Sequence, residues 1–99
     1  MADLADLTAA DFAAHSGSRY LLRFAGAAEP IALELVEVNA GHGPRRGGRP
    51  FSLVFRGPRN PVLPQAQYRL EHEAMGALDI FLVPIALDAQ GLSYEAVFN

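Results

Sequence analysis

The stretch from Phe51 to Pro84 constrains this chain more than any other. It reads FSLVFRG, PRNPVLPQ, AQYRLEHE and AMGALDIFLVP. Apolar and polar residues alternate in three segments, with dense proline and glycine signals between them. A period of two puts every second side chain on one face, which is how a half-buried β-strand reads. Three such segments so punctuated predict antiparallel strands.

The same reading extends over residues 1–99 as one domain. It predicts a helix over about 8–15 and strands over about 19–24, 30–38, 51–56, 67–73, 77–84 and 92–98. Thr8 caps the helix and Asp11 stands three residues later, a shortened capping box. Leu4, Leu7 and Phe12 would anchor the helix on the sheet, and Gly17 would end it. In the second strand the alternation changes phase: Ile31, Leu33 and Leu35 share a face, then Val36 and Val38 are apolar around Glu37. One extra residue flips every later side chain, so a β-bulge is expected near Leu35–Val36. The alternative is a strand covered on both faces. Gly76 would supply a positive φ for the hairpin at AMG, and DAQG (88–91) would turn the chain into the last strand.

The expected inward set is Tyr20, Leu22, Phe24, Ile31, Leu33, Phe51, Leu53, Phe55, Tyr68, Leu70, Leu78, Ile80, Leu82, Tyr94, Ala96 and Phe98. Phe81 and Val83 face the other way and would need cover from the helix, the Pro-rich crossing or a partner chain. Six short strands must close or stack to hide their edges. The fold class is therefore mainly β: a six-stranded antiparallel small barrel or sandwich, with one short N-terminal helix plugging an open end.

Composition narrows the chemistry. The hydrophobic fraction of 51% is enough for one ordinary core. There is no cysteine, which removes disulfides, thiolate metal sites and a cysteine nucleophile, and leans toward a cytoplasmic protein. Net charge is −3, and all eight basic residues are arginine. A mildly acidic chain has no global field for nucleic acid. The apolar run Ile80–Leu87 is too short to span a bilayer, and MADLADLTAADF carries acids where a signal peptide needs positive charge. The expected protein is soluble, with no membrane or nucleic-acid partner.

Few constellations carry chemistry. GHGPRRGG (41–48) begins like a phosphate loop, but it leads into a strand rather than a helix, and Pro44 removes a backbone donor. With Arg49 it makes a basic loop, most simply a solvated one. Glu71-His72-Glu73 cannot converge on a metal, because strand neighbours point to opposite faces. His15, His42 and His72 fall on separate elements, whereas zinc needs three or four convergent ligands. No metal or cofactor site is expected. His72 reads as a rim histidine with one hydrogen-bonding partner. No serine sits in a nucleophile elbow, although folding could bring His15 or His72 to a serine or a carboxylate.

The crossing GPRNPVLPQ (57–65) holds three prolines, which exclude a central strand and stiffen the backbone. It supplies the candidate partner surface: Arg56, Pro58, Arg59, Asn60, Pro61 and Pro64. Arg56 or Arg59 could hold a carboxylate in a bidentate fork, but pairing within the chain to Glu71, Glu73 or Asp88 is the favoured reading.

Four motifs carry a resemblance: Leu7-Thr8 with Asp11-Phe12, Phe51 to Pro58, Leu63 to Tyr68, and Tyr94 to Phe98. On these residues the chain resembles a small bacterial family of uncharacterised domains, over nearly its whole length. The resemblance implies no activity. It implies at most an accessory or assembly role beside phage-tail-collar-like proteins.

Three functions follow in order of expectation. The first is a non-enzymatic protein-interaction or assembly module. The second is a small-ligand barrel with Tyr20, Phe24, Phe55, Tyr68 and Tyr94 around a cavity. The third is a hydrolase with His15 or His72 as base. Self-association is open between a monomer and a homodimer through an edge strand, at strand one or three.

Overall fold

The computed structural model describes residues 7–23, 29–40 and 50–98. After α1 (Ala9–Ala13) come six strands: β1 (Arg19–Leu22), β2 (Ile31–Ala40), β3 (Phe51–Gly57), β4 (Ala66–His72), β5 (Gly76–Asp88) and β6 (Gly91–Phe98). They are all antiparallel and form one sheet in the order β1-β2-β3-β6-β5-β4. Leu21 and Leu22 of β1 pair with Glu71 and Leu70 of β4, which closes the sheet into a barrel.

The alternation that predicted the strands is the burial pattern observed. Along β1 and the first half of β2, every second residue is buried. The register then slips between Leu35 and Glu37 where β2 meets β3, so Val36 is the extra residue of a bulge, as its phase change predicts. A second slip lies between Pro84 and Ala86 in β5. That slip explains why β5 runs four residues past its expected end. A proline gives the ladder no N–H, but beside a bulge the strand can continue.

The helix is shorter than expected. Its capping box is complete: Asp11 N–H donates to Thr8 Oγ1, and Thr8 N–H donates to the Asp11 carboxylate at 2.8 Å. After Ala13 the chain tightens into three-residue turns, with His15 N–H donating to Phe12 O and Ser16 N–H to Ala13 O, and then leaves the helix. Gly17 N–H donates to Leu35 O, and Leu35 N–H donates to Ser18 O, drawing the chain onto β2. A helix of five residues cannot stand alone. Phe12 holds it in place, fully buried against Phe51 and Phe98, whose own rings stack 4.6 Å apart. These three rings plug one end of the barrel, as the sequence predicts for the helix.

Nearly all of the expected inward residues are buried, and Phe24 lies outside the described residues. Tyr68 is the exception: it is only half-buried, because its hydroxyl reaches Pro64 O at 2.5 Å outside the core. Leu35, Leu63 and Leu92 join the core. Closure corrects the expected free edge: β1 is bonded to β2 and β4, and β3 to β2 and β6. Neither offers an unpaired side along its whole length for a homodimer. At the β4–β5 hairpin, Gly76 has the positive φ expected of it (79°).

Candidate partner-binding surface

The crossing between β3 and β4 is pinned from below and open above. Leu63 is fully buried in the barrel, and its N–H donates to Tyr94 Oη at 2.9 Å. Tyr68 Oη donates to Pro64 O. Burial pushes the Tyr94 hydroxyl up, against the opposing pull of the Leu63 bond. Burial also raises the Tyr68 hydroxyl, with the Tyr94 charge adding to it. Both phenols therefore stay neutral and keep these bonds. Above this anchor, Pro58, Arg59, Asn60, Pro61, Val62 and Pro64 are exposed, and the Asn60–Pro61 bond is cis. The structure thus brings five of the six predicted surface residues onto one exposed segment.

Arg56, the sixth, is only partly exposed at the end of β3. Its cross-strand neighbours are Glu34 on β2 and Ser93 on β6, and Glu34 in turn faces Arg19 on β1. The predicted intramolecular pairing does not form. Glu71 pairs with Arg23 at 3.7 Å, and Asp88 accepts from Gln90 N–H at 2.8 Å. Arg69 pairs with Asp79 at 3.2 Å. The Arg56 Nε is buried with no acceptor among the described residues. Beside it, Arg19, Ala32, Glu34, Gly57, Pro58 and Gln90 complete a cleft of about 390 Å³.

The histidines converge more than their sequence positions suggest. The rings of His15 and His72 lie 4.7 Å apart, and Tyr20 lies 4.5 Å from His72 on another side. His72 is buried at the rim, as expected, but it has three hydrogen-bond partners rather than one. Its Nδ1 accepts from Ala74 N–H and Met75 N–H, and its Nε2 is 2.8 Å from Ser18 Oγ. Two donors on Nδ1 place the single proton of the neutral ring on Nε2. His72 therefore donates to Ser18, whose hydroxyl donates to His15 O. A general base needs the opposite polarity, with the imidazole accepting from the nucleophile. Burial, then the nearby His15, pulls the His72 pKa below the usual histidine value, which keeps the ring in this neutral form. Tyr20, pushed up to about 12 mainly by burial, stays protonated and donates to Met75 Sδ. The cluster locks the helix exit to the β4–β5 turn. His42 lies outside the described residues.

Of the aromatic residues expected around a ligand cavity, Tyr20, Phe55 and Tyr94 fill the barrel instead, Tyr68 is half-buried and Phe24 lies outside the described residues. Tyr20 and Phe55 meet edge to face at 5.2 Å, and both are fully buried, with Tyr94 nearly so. Outside, Phe81 is 50% exposed and Val97 57% exposed. The helix does not cover Phe81; it packs against β2. Among the described residues, no three histidine, aspartate or glutamate side chains are grouped to hold a metal ion, and no helix is long and apolar enough to cross a membrane.

Two features of the fold leave no local pattern in the sequence. Leu63 carries no periodic signal, and its only mark is an apolar residue enclosed by the proline run. Ser18 and His72 meet across the barrel rim, which local pattern cannot reveal. No curated protein and no solved structure matches the chain. A family model described as a domain of unknown function, DUF6916, matches residues 7–98. With nearly its whole length so matched, the chain belongs to that family.

Proposed function

We propose that this chain is a non-enzymatic protein-binding module whose contact surface is the crossing from Pro58 to Pro64 with Arg56 beside it. One observation carries the reading: the crossing is anchored through Leu63 and Tyr94, yet it turns nearly all its other side chains to solvent. A surface already held in one conformation loses little entropy on binding. A cytoplasmic setting fits a chain without cysteine. An assembly role of the phage-tail type is the finer form of this proposal, and it is supported by the resemblance of the motifs alone.

The test is affinity capture from the native host with three baits. These are the wild type, an Arg59→Glu/Asn60→Ala variant, and a Glu73→Gln control on the β4–β5 turn. The expected result is a protein retained by wild type and control but lost from the crossing variant, with unchanged thermal unfolding. Equal retention by all three, or no retained protein at all, would overturn it.

A further inference from the structure

The outer face of β5 carries an apolar stripe left to solvent among the described residues. Phe81, Val83 and Ile85 follow one another there, while Ile80 and Leu82 point into the core. The stripe is about 13 Å long at the rise of a strand, and Phe81 and Ile85 are each half-exposed. Ile85 is the extra residue at the slip in β5, and Val36 is the extra residue in β2. Bulges re-aim side chains, and these two line one cleft of about 420 Å³, together with the more deeply buried Val54 and Ser93. Continuing the register of Val83 with Glu95 puts Val97 opposite Phe81 on β6. Phe81 and Val97 line a further cleft of about 280 Å³. Exposed apolar side chains gathered in this way mark an interaction face.

The acids beside the stripe set the class of partner. Glu37, Val54, Glu95 and Val83 are successive cross-strand neighbours on β2, β3, β6 and β5. Both glutamates therefore have valines across from them, and neither forms an ion pair among the described residues. Arg56 lies one step away on the diagonal, but its direct neighbour on β2 is Glu34. Asp79, at the other end of the stripe, is already held by Arg69 at 3.2 Å. The result is an apolar face with two unanswered carboxylates on its border. A second copy meeting it face to face would bring two glutamates from each chain together. The phosphates of a nucleic acid or an anionic membrane would be repelled as well. A surface that is both apolar and cationic is the complement.

We propose that this face docks a segment of a partner protein in which apolar residues alternate with lysine or arginine. The apolar side chains cover Phe81, Val97 and Ile85, and the cations reach Glu95 and Glu37. A lysine or arginine suits both tasks, because its methylene stem lies along apolar surface while its head stays with the carboxylate. The exposed ring of Phe81 can also take a cation over its face. The proposal goes beyond the crossing: the face shares no residue with Pro58–Pro64, and the two stand or fall separately.

The test titrates the purified full chain with a blocked peptide, acetyl-Lys-Leu-Lys-Leu-Lys-Leu-Lys-amide, at constant ionic strength. Backbone amide resonances are followed by NMR. Two further peptides serve as comparisons, one with Ser in place of Leu and one with Glu in place of Lys. Saturable shifts centred on Phe81, Glu95 and Val97 are expected with the first peptide. Binding should weaken at least about tenfold for Phe81→Ser/Val97→Ser and for the Ser peptide. It should weaken about fivefold for Glu37→Gln/Glu95→Gln and be lost for the Glu peptide. Arg59→Glu/Asn60→Ala, on the crossing, should bind as wild type does. Shifts that never saturate, equal binding of the comparison peptides, or binding indifferent to both face variants would overturn the proposal. So would light scattering that shows a dimer abolished by Phe81→Ser/Val97→Ser, which would give the face to a second copy. Binding that appears only in Arg45→Gln/Arg46→Gln/Arg49→Gln would give it to the chain's own basic residues, and that too would overturn it.

Discussion

The backbone amide of Leu63 donates to the hydroxyl of Tyr94 at 2.9 Å, and that bond ties the exposed crossing to the barrel interior. Tyr94→Phe leaves the ring in place and removes the acceptor. A buried amide with nothing to bond costs about 1–3 kcal/mol. The expected result is a drop of that size in unfolding free energy by urea titration, with faster amide exchange at Leu63 than at Phe55.

The His72 cluster makes stability depend on pH. The folded ring has a lowered pKa, so the unfolded chain takes up the proton more readily. The groups facing the ring are His15 after the helix, Ser18, Tyr20 on β1, and Glu73 and Met75 on the turn. Its contribution is complete above the unfolded value of about 6.5 and declines as pH falls below it. Urea midpoints should therefore fall between pH 7.5 and pH 5. A His72→Ala variant, weaker by about 2–3 kcal/mol at pH 7.5, should show a shallower decline. An unchanged slope in that variant would assign the pH dependence to other groups.

Two glycines with positive φ should respond very differently to alanine. At Gly76, with φ at 79°, a Cβ meets nothing within 4 Å. Gly76→Ala should cost only the left-handed strain of about 1 kcal/mol. At Gly91 φ is 139°, and a Cβ would overlap the carbonyl oxygen of Gly57. That obstacle is backbone on a paired strand and cannot swing aside, so Gly91→Ala should cost at least about 3 kcal/mol. Comparable thermal midpoints for the two variants would show that the β5–β6 turn has room to spare.

The plug at the barrel end is a further check. Phe12→Ala should cost about 3–5 kcal/mol, as for other buried aromatic residues. Thr8→Ala, which breaks the capping box, should cost about 1 kcal/mol. Loss of helical signal in Phe12→Ala at temperatures where the sheet persists would show the helix docking as a separate unit.

The strands were legible because each has one face in the core, and burial imposes a period of two that the sequence must obey. The bulge at Val36 was legible for the same reason, as a break in that period. The closure of β1 on β4 was not, because it depends on how far the sheet coils, which no local pattern encodes. Strand five looked finished at Pro84, since the bulge that lets it continue depends on its pairing with β6. The candidate surface was legible as composition, three prolines in nine residues, but its anchor was not. Leu63 sits among exposed neighbours, and only the Tyr94 hydroxyl, a strand away, reveals why it turns inward. The arginine pairing was not legible because it depends on which acids the fold brings within reach, and geometry assigns Glu71 to Arg23 and Asp88 to its own turn.

The barrel shuts through two residue pairs, Leu21 with Glu71 and Leu22 with Leu70, whereas β3 and β6 share seven. That seam works like a clasp on a bracelet. The pairs it joins are far apart in sequence, so their loop must be ordered before they contribute, and they form late and open early. When the clasp opens, β1 and β4 lose their shared pairing, and β1 of one molecule can then pair with β4 of another. Exchange of β1 between copies is the misassembly this fold should favour near its unfolding temperature. A Leu21→Cys/Glu71→Cys disulfide across the seam should suppress the resulting dimers in size-exclusion profiles after heating.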